Sequence, residues 1–161
     1  MPLLAAFDVA LPVDGRQSDA ALKVRRGAAR LLRDSGYAVV TELVLPSGRR
    51  ADLVGLSPDG AIFIVEVKSS RADFLSDSKW PTYASYCDAF AFAAPPELAD
   101  IFPAGEGLIV SDGYVGELIR PAQERRLAAA TRKGMHLRIA LASARRLHEL
   151  EDPSQHFSTP S

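Results

Sequence analysis

Two acidic residues and one lysine are the best candidates for chemistry in this chain. Glu66 and Lys68 follow an apolar run at 61–65 that is typical of a buried strand. Because side chains alternate along a strand, Glu66 and Lys68 project from the same face. Asp52 opens the preceding apolar run, and a Ser-Pro-Asp-Gly turn joins the two runs. A hairpin at that turn is predicted to bring Asp52 beside Glu66, where two carboxylates offer the oxygen ligands that a hard cation prefers.

The same residues also have an ordinary structural explanation. An exposed Glu-x-Lys pair at a strand end is common and contributes only ~0–1 kcal/mol. Residues 62–67, however, contain one polar side chain, that of Glu66, so this strand is predicted to be covered on both faces. A carboxylate at its end is partly desolvated and costly unless it is paired or binds a metal. We therefore favour the functional interpretation.

Composition and charge limit the classes of protein. The 161 residues are enough for one domain, and 47% of them are hydrophobic, which is enough for a substantial core. The net charge of −1 predicts no general attraction to polyanions, so contact with nucleic acid requires local basic clusters. Cys87 is the only cysteine, which excludes an intrachain disulfide and is typical of a reducing cytoplasm. The sequence offers no signal peptide and no apolar run of the ~18 residues that a membrane span needs.

The periodicity predicts a helix, three strands, a helix, a strand, a hairpin and a final helix. The predicted bounds are helix 18–35, strands 37–45, 50–56 and 61–68, helical pieces 70–76 and 79–86, strand 88–94, strands 107–110 and 114–119, and helix 131–150. This order predicts an α/β fold with a mixed central sheet flanked by helices. We predict an N-terminal arm at 1–16, a domain at 17–150 and a flexible tail at 151–161. The predicted apolar stripe of the last helix comprises Leu137, Ala140, Leu141, Ala144, Leu147 and Leu150.

The element order and a longer residue string resemble a known family. The string comprises Arg50-Ala-Asp52-Leu, Glu66-Val-Lys68-Ser-Ser-Arg-Ala-Asp73-Phe74, Asp77-x-Lys79-Trp80-x-x-Tyr83 and Cys87-Asp88-x-Phe90-x-Phe92. It is similar to the MmcB-type DNA repair family within the PD-(D/E)XK nuclease superfamily, over about residues 18–150. The superfamily motif is loose, whereas the longer string is far more specific. One departure is Ala51, which stands where the proline that names the motif is expected.

The resemblance implies a restriction-endonuclease-like fold, a role in DNA repair and Mg²⁺-dependent (or Mn²⁺-dependent) hydrolysis of DNA. Asp52, Glu66 and the Val67 carbonyl would hold the cation. Lys68 would orient or deprotonate the attacking water, or stabilise charge in the transition state. Many relatives carry a further acid, for which the candidates are Asp19, Asp34 and, on the first strand, Glu42. The alternative functions are a module of the same fold that binds DNA or repair partners without cleavage, and a structural domain that binds no nucleic acid.

Basic and aromatic residues near the motif are candidates for DNA contact. Arg49, Arg50, Arg71 and Lys79 are the predicted phosphate-binding residues, and Lys79 is expected on the helix that follows the motif strand. Trp80 and Tyr83 share a helical face, and packing on the sheet is favoured over stacking on bases. A second basic group is interpreted as a charged outer face of the last helix rather than a phosphate-binding strip; it comprises Arg120, Arg125, Arg126, Arg132, Lys133, Arg138, Arg145 and Arg146. Many relatives dimerise, so the resemblance makes a homodimer a candidate state, with the hairpin at 112–113 or the final helix as its interface; the sequence alone leaves the oligomeric state open.

Overall fold

A computed structural model describes residues 18–153 as a mixed α/β fold, in which helices flank one six-stranded sheet. Its elements, in chain order, are α1 (Asp19–Asp34), β1 (Ala38–Val44), β2 (Arg50–Leu56), β3 (Ile62–Val67), α2 (Arg71–Ser76), a 3₁₀ segment (Trp80–Tyr86), β4 (Ala89–Ala94), a second 3₁₀ segment (Pro96–Leu98), β5 (Gly107–Ser111), β6 (Gly116–Arg120) and α3 (Ala129–Glu151). The predicted α/β class is confirmed. The predicted arm at 1–16 and residues 154–161 of the predicted tail lie outside the described residues. Between residues 18 and 153, no helix has both the length and the hydropathy to cross a membrane.

The sheet sets several strand ends at one edge. Its strands lie in sequence order, with β1, β2 and β3 antiparallel, β3, β4 and β5 parallel, and β6 antiparallel to β5. Parallel neighbours require a crossover connection, and between β3 and β4 it consists of α2 and the first 3₁₀ segment. The carboxyl end of β3 therefore lies at the same edge as those of β4 and β5, with α2 directly after it.

The β2–β3 hairpin forms at the predicted turn. Gly60 adopts a φ of 91°, a left-handed conformation that glycine tolerates because it has no Cβ. The regular pairing of β2 with β3 ends at Leu53 and Val65. The next register position sets Asp52 opposite Glu66, at the edge where the two strands stop pairing.

Both faces of the sheet are covered. On one face, α1 buries Val24, Ala28 and Leu32 against the sheet, while α3 and the first 3₁₀ segment pack on the other face. Every residue of β3 is buried, as its apolar sequence predicts. A polar side chain at the end of β3 is therefore withdrawn from solvent by the elements on both sides.

The predicted apolar stripe of the last helix is wrong. The residues that α3 buries are Met135 and Ile139, whereas Leu137, Leu141 and Leu147 are 43–59% exposed. The helix has two apolar faces, and hydrogen bonds decide which of them meets the sheet. The Arg132 guanidinium pairs with Asp88 at the start of α3, and the Arg146 guanidinium donates to the Thr41 and Glu42 carbonyls of β1 near its end. The outward leucines are left facing solvent.

Asp88 anchors α3 to the centre of the sheet. Its carboxylate accepts hydrogen bonds from the Arg132 guanidinium at 2.5 and 2.7 Å and from the Ile62 and Leu127 N–H groups at 2.8 and 3.3 Å. Burial alone would raise the pKa of Asp88, but the hydrogen bonds from Arg132 and the two amides lower it overall. Asp88 therefore stays ionised at neutral pH. Its presence in the residue string that resembles the family is explained by this structural role.

Candidate active site

The carboxylates of Asp52 and Glu66 meet at the edge of the sheet. Beyond the last backbone pair of β2 and β3, the Val67 N–H donates to Asp52 Oδ2 at 2.8 Å, so a side chain replaces the next backbone hydrogen bond. The side chains of Asp52 and Glu66 are in hydrogen-bonding contact with each other. Together with Val67 and Lys68 they line a cleft of about 580 Å³, whose opposite wall is the first turn of α1.

Burial and mutual repulsion make this pair unusual. Burial raises the pKa of Asp52, against the hydrogen bonds that it forms with Glu66 and the Val67 N–H. Burial and the neighbouring Asp52 charge raise the pKa of Glu66 well above its ordinary range. Glu66 is only 7% exposed, and its Oε2 is buried with no hydrogen-bond partner. A buried carboxylate oxygen without a partner costs free energy, so this oxygen is available to a cation.

The Lys68 ammonium is buried next to the two acids. Lys68 is 5% exposed, and its Nζ donates to Asp77 Oδ2 at 2.7 Å and lies 3.8 Å from Asp73 Oδ1. Burial alone lowers the pKa of Lys68, but the hydrogen bond to Asp77 and the Glu66 charge raise it overall. Lys68 is therefore protonated at neutral pH. This favours orientation of water or stabilisation of charge over the role of a general base.

Asp77 is a site residue that sequence reasoning did not assign to the site. It caps the 3₁₀ segment, because Oδ1 accepts from the N–H groups of Lys79 and Trp80 at 2.8 and 3.2 Å. Its other oxygen holds Lys68. The two backbone bonds fix the carboxylate so that it positions the ammonium. The eight residues between Lys68 and Asp77 gave no periodic signal for this contact.

The three candidates for an additional acid at the site differ in their positions and in their contacts. Glu42 lies at the register position opposite Asp52. Burial is the main cause of the raised pKa of Asp52, and the Glu42 charge raises it further, whereas the hydrogen bonds of Asp52 lower it. Its carboxylate, however, pairs with Arg25 at 3.2 Å and with Arg50 at 3.6 Å. Asp19 and Asp34 are exposed at the first and last positions of α1. Across residues 18–153, no three His, Cys, Asp or Glu side chains group together as a metal site.

A family model described as "DNA repair protein MmcB-like" matches residues 9–154, which is nearly the whole chain. The chain belongs to the MmcB-like family. No curated protein matches it. A solved structure of the SPO1766 protein of unknown function from Silicibacter pomeroyi is similar to it, with 41% identity and a TM-score of 0.81 over 89% of this chain and 99% of that chain.

In this MmcB-like chain the predicted DNA-binding residues lie on the loops and strand ends around the site. Arg71 is exposed at the start of α2, and the Arg50 side chain is 51% exposed beside Glu42. Arg49 is half-buried after the β1–β2 turn. Lys79 is exposed, but it precedes the 3₁₀ segment instead of lying on a helix, because its N–H is taken up by Asp77. Their role in DNA binding stays a prediction.

Other predicted contacts of the MmcB-like chain are structural. The rings of Trp80 and Tyr83 stack on Phe90 with centroids 5.9 and 6.2 Å apart, so both pack on the sheet. Four arginines of the second basic group donate to carbonyl or carboxylate groups of the fold; they are Arg120, Arg132, Arg138 and Arg146. Within the described residues, the group is therefore largely a set of anchors for the β6 end and for α3.

Two features of α1 were not anticipated. The Arg25 side chain is only 12% exposed and lines the cleft, where it pairs with Glu42. Four other basic residues recur every three or four positions on the exposed side of the helix; they are Lys23, Arg26, Arg30 and Arg33. Residues at this spacing share one helical face. The first turn of α1 borders the cleft, so this basic face extends away from the candidate site.

The donor set fits a hard divalent cation. Two carboxylates, with one buried oxygen that lacks a partner, are enough for Mg²⁺, which keeps several waters and uses one or two carboxylates. A bound cation would also relieve the repulsion that raises the pKa values of Asp52 and Glu66. The Val67 carbonyl remains the further oxygen that the family resemblance assigns to the cation.

Proposed function

We propose that this MmcB-like protein acts in DNA repair as a Mg²⁺-dependent nuclease with the PD-(D/E)XK fold. The observation that supports it best is the buried Glu66 Oε2, which lacks a partner beside Asp52 and within a cleft that also presents a protonated lysine. In soluble proteins such an arrangement is costly unless something binds it. Family membership supplies the DNA repair context.

Each residue of the site has a separate task in this proposal. Asp52 and Glu66 hold the cation, which when bound polarises the scissile phosphate and makes water a stronger nucleophile. The Val67 N–H fixes one oxygen of Asp52, so the carboxylate is preorganised. Asp77 fixes Lys68, whose remaining N–H groups orient water or meet the charge that develops on the phosphate. The paired Arg25 and Glu42 form part of the wall beside them.

The direct test is cleavage of a labelled nicked or branched duplex by the full chain with Mg²⁺ or Mn²⁺.

A second candidate function is a module that binds DNA without cutting it. It is favoured by one observation, namely that Glu42 is engaged by two arginines and does not add a third carboxylate to the pair. Duplex binding with no cleavage under any divalent cation would support that module over the nuclease.

Replacing Asp77 with asparagine tests the positioning of Lys68. Asparagine still accepts the hydrogen bonds of Lys79 and Trp80 through its Oδ1, but it removes the negative partner of the ammonium. Because a charge-assisted hydrogen bond contributes about 1.5–3 kcal/mol, we expect a loss of roughly 10- to 100-fold in kcat, with little change in DNA affinity. Single-turnover cleavage and a binding titration measure the two effects separately.

The matched control for this variant is Asp73→Asn. Asp73 is the other acid near Lys68, but its side chain is 44% exposed and 3.8 Å away, so its contribution is small. We expect less than about a twofold change in kcat. Equal losses in the two variants would show that Lys68 responds to the general acidity of this region instead of to the single contact with Asp77.

The basic face of α1 is expected to contact the phosphate backbone. Each phosphate contact that is lost reduces the slope of log Kd against log salt by roughly 1. We therefore expect the Arg26→Ala/Arg33→Ala variant to bind duplex DNA more weakly and with a slope reduced by about 2. Fluorescence anisotropy at several salt concentrations measures both. The control is Arg145→Ala, which removes an exposed arginine on α3. An equal effect of this change would indicate that DNA binds on the α3 side of the domain.

A further inference from the structure

The exposed face of α3 is an apolar feature that the proposed nuclease site leaves unexplained. Leu137 is 59% exposed, Leu141 43% and Leu147 55%, and the small residues Ala140 and Ala144 lie exposed between them. At 100° per residue these five side chains fall within a sector of roughly 120°, opposite the buried Met135 and Ile139. The helix therefore presents one apolar face to the sheet and a second apolar face to solvent.

The charges at the ends of this outer face are complementary to each other. Lys133 lies at its amino-terminal end and Glu151 at its carboxyl-terminal end, and both fall in the same angular sector as the leucines. Both side chains are exposed, and neither forms an ion pair within residues 18–153. A surface with a positive end, an apolar centre and a negative end fits a copy of itself turned end to end.

The spacing of the residues supports the same arrangement. Residue 142 is the midpoint of three pairs, namely Lys133 with Glu151, Leu137 with Leu147, and Ala140 with Ala144. A two-fold axis near residue 142 would set each member of a pair against the other member on the second copy, as an isologous interface requires. The alanines would lie nearest the axis, where small side chains let two helices approach closely.

We propose that a second copy of this chain packs antiparallel on the outer face of α3, so that Lys133 of each copy meets Glu151 of the other. The contact would bury six leucine side chains and four alanines that are now exposed, and it would close with two ion pairs. α3 also holds β1 through Arg138 and Arg146, so the two sheets would be carried on one central helix pair.

Sedimentation velocity of the full chain between about 1 and 100 μM tests this proposal. We expect a dimer, and we expect Leu137→Glu to raise its dissociation constant by about 100-fold or more, since symmetry places the change in the interface twice. The exposed position of Leu137 keeps the fold intact, which circular dichroism checks. The matched control is Leu118→Glu on β6, where the leucine is 48% exposed but lies outside the proposed interface.

A charge exchange tests the antiparallel direction. Lys133→Glu brings like charges together twice, so we expect dimerisation to weaken about tenfold at low salt. The Lys133→Glu/Glu151→Lys variant restores the opposite charges and is expected to return within about twofold of the wild type. In a parallel pair, Lys133 of one copy would face Lys133 of the other copy. Lys133→Glu would then replace one like-charged pair with another and leave the strength of dimerisation unchanged.

Three results would overturn the proposal. They are a monomer at every concentration, a dimer that withstands Leu137→Glu, and a dimer that is lost only with Leu118→Glu. None of these measurements uses DNA cleavage, so the result stands or falls separately from the proposed nuclease function.

Discussion

Replacing Asp52 with asparagine is expected to abolish Mg²⁺-dependent cleavage of DNA, with a loss of about 10³-fold or more in kcat, which corresponds to about 4 kcal/mol of transition-state stabilisation. The loss follows from chemistry and not from unfolding. Asparagine can still accept the 2.8 Å hydrogen bond of the Val67 N–H, and its amide can donate to the adjacent Glu66. The variant therefore loses one negative ligand of the cation while it keeps the local structure.

Two measurements make this prediction specific. Single-turnover cleavage of a labelled nicked duplex gives the rate, and anisotropy in Ca²⁺ gives the affinity, which we expect to change by less than about threefold. The control is Asp100→Asn, an exposed acid away from the cleft, which reports any contaminating nuclease. Wild-type activity that persists in Asp52→Asn would assign the cleavage to other residues or to a contaminant.

A divalent cation is expected to stabilise the fold, and more strongly as the pH rises. The pKa of Glu66 is raised by burial and by Asp52, so in metal-free protein the stability from this group is complete below its ordinary pKa and is lost as the pH rises through the raised value. A cation binds the deprotonated pair and offsets that loss. At pH 8 and a concentration 100-fold above Kd we expect about 2.7 kcal/mol, or roughly 5–10 °C in Tm.

Thermal unfolding with EDTA or Ca²⁺, at pH 5.5 and pH 8, measures this effect. Glu66→Gln should remove both the cation-dependent rise in Tm and the part of the pH dependence that comes from this carboxyl. Glu97→Gln, an exposed acid on the second 3₁₀ segment, serves as the matched control and should behave as the wild type does. A Tm that is insensitive to Ca²⁺ at pH 8 would argue against a cation site at Asp52 and Glu66.

The sequence predicted the centre of the fold well because its signals there are local. The fully apolar β3 and the Ser-Pro-Asp-Gly turn predict a buried hairpin, and the hairpin register alone sets Asp52 opposite Glu66. The start of the predicted helical piece at 70–76 is likewise set locally, since the Asp73 N–H donates to the Ser70 hydroxyl in an N-terminal cap. Such features depend on neighbours within about fifteen residues.

Sequence reasoning failed where contacts between distant elements decide the structure. The pattern of α3 contains two apolar faces, and periodicity alone cannot say which one packs on the sheet. Arg132 and Arg146 decide it through Asp88, directly before β4, and through a carbonyl of β1, both more than forty residues away. The contact of Asp77 with Lys68 depends in the same way on how the chain returns after α2, which no spacing rule encodes.

The backbone of Glu42 was also beyond sequence reasoning. Glu42 adopts a φ of 53°, a left-handed conformation that costs free energy for a residue with a side chain. Its neighbours Thr41 and Leu43 pair with Leu53 and Ala51, so the distortion lies directly opposite Asp52. Arg25 and Arg50 hold the Glu42 carboxylate, and Arg146 holds its carbonyl. This segment is kept in an unfavourable conformation by its surroundings, next to the candidate site.

The hydrogen bond from the Val67 amide to Asp52 gives the molecule an internal reporter. Protonation of that carboxylate, or its engagement by an ion, changes how strongly it polarises a single backbone N–H. The nitrogen and proton chemical shifts of Val67 therefore register the charge state of the acid directly, without any turnover. Occupancy of the cleft becomes visible as the movement of one cross-peak in a spectrum of the resting protein.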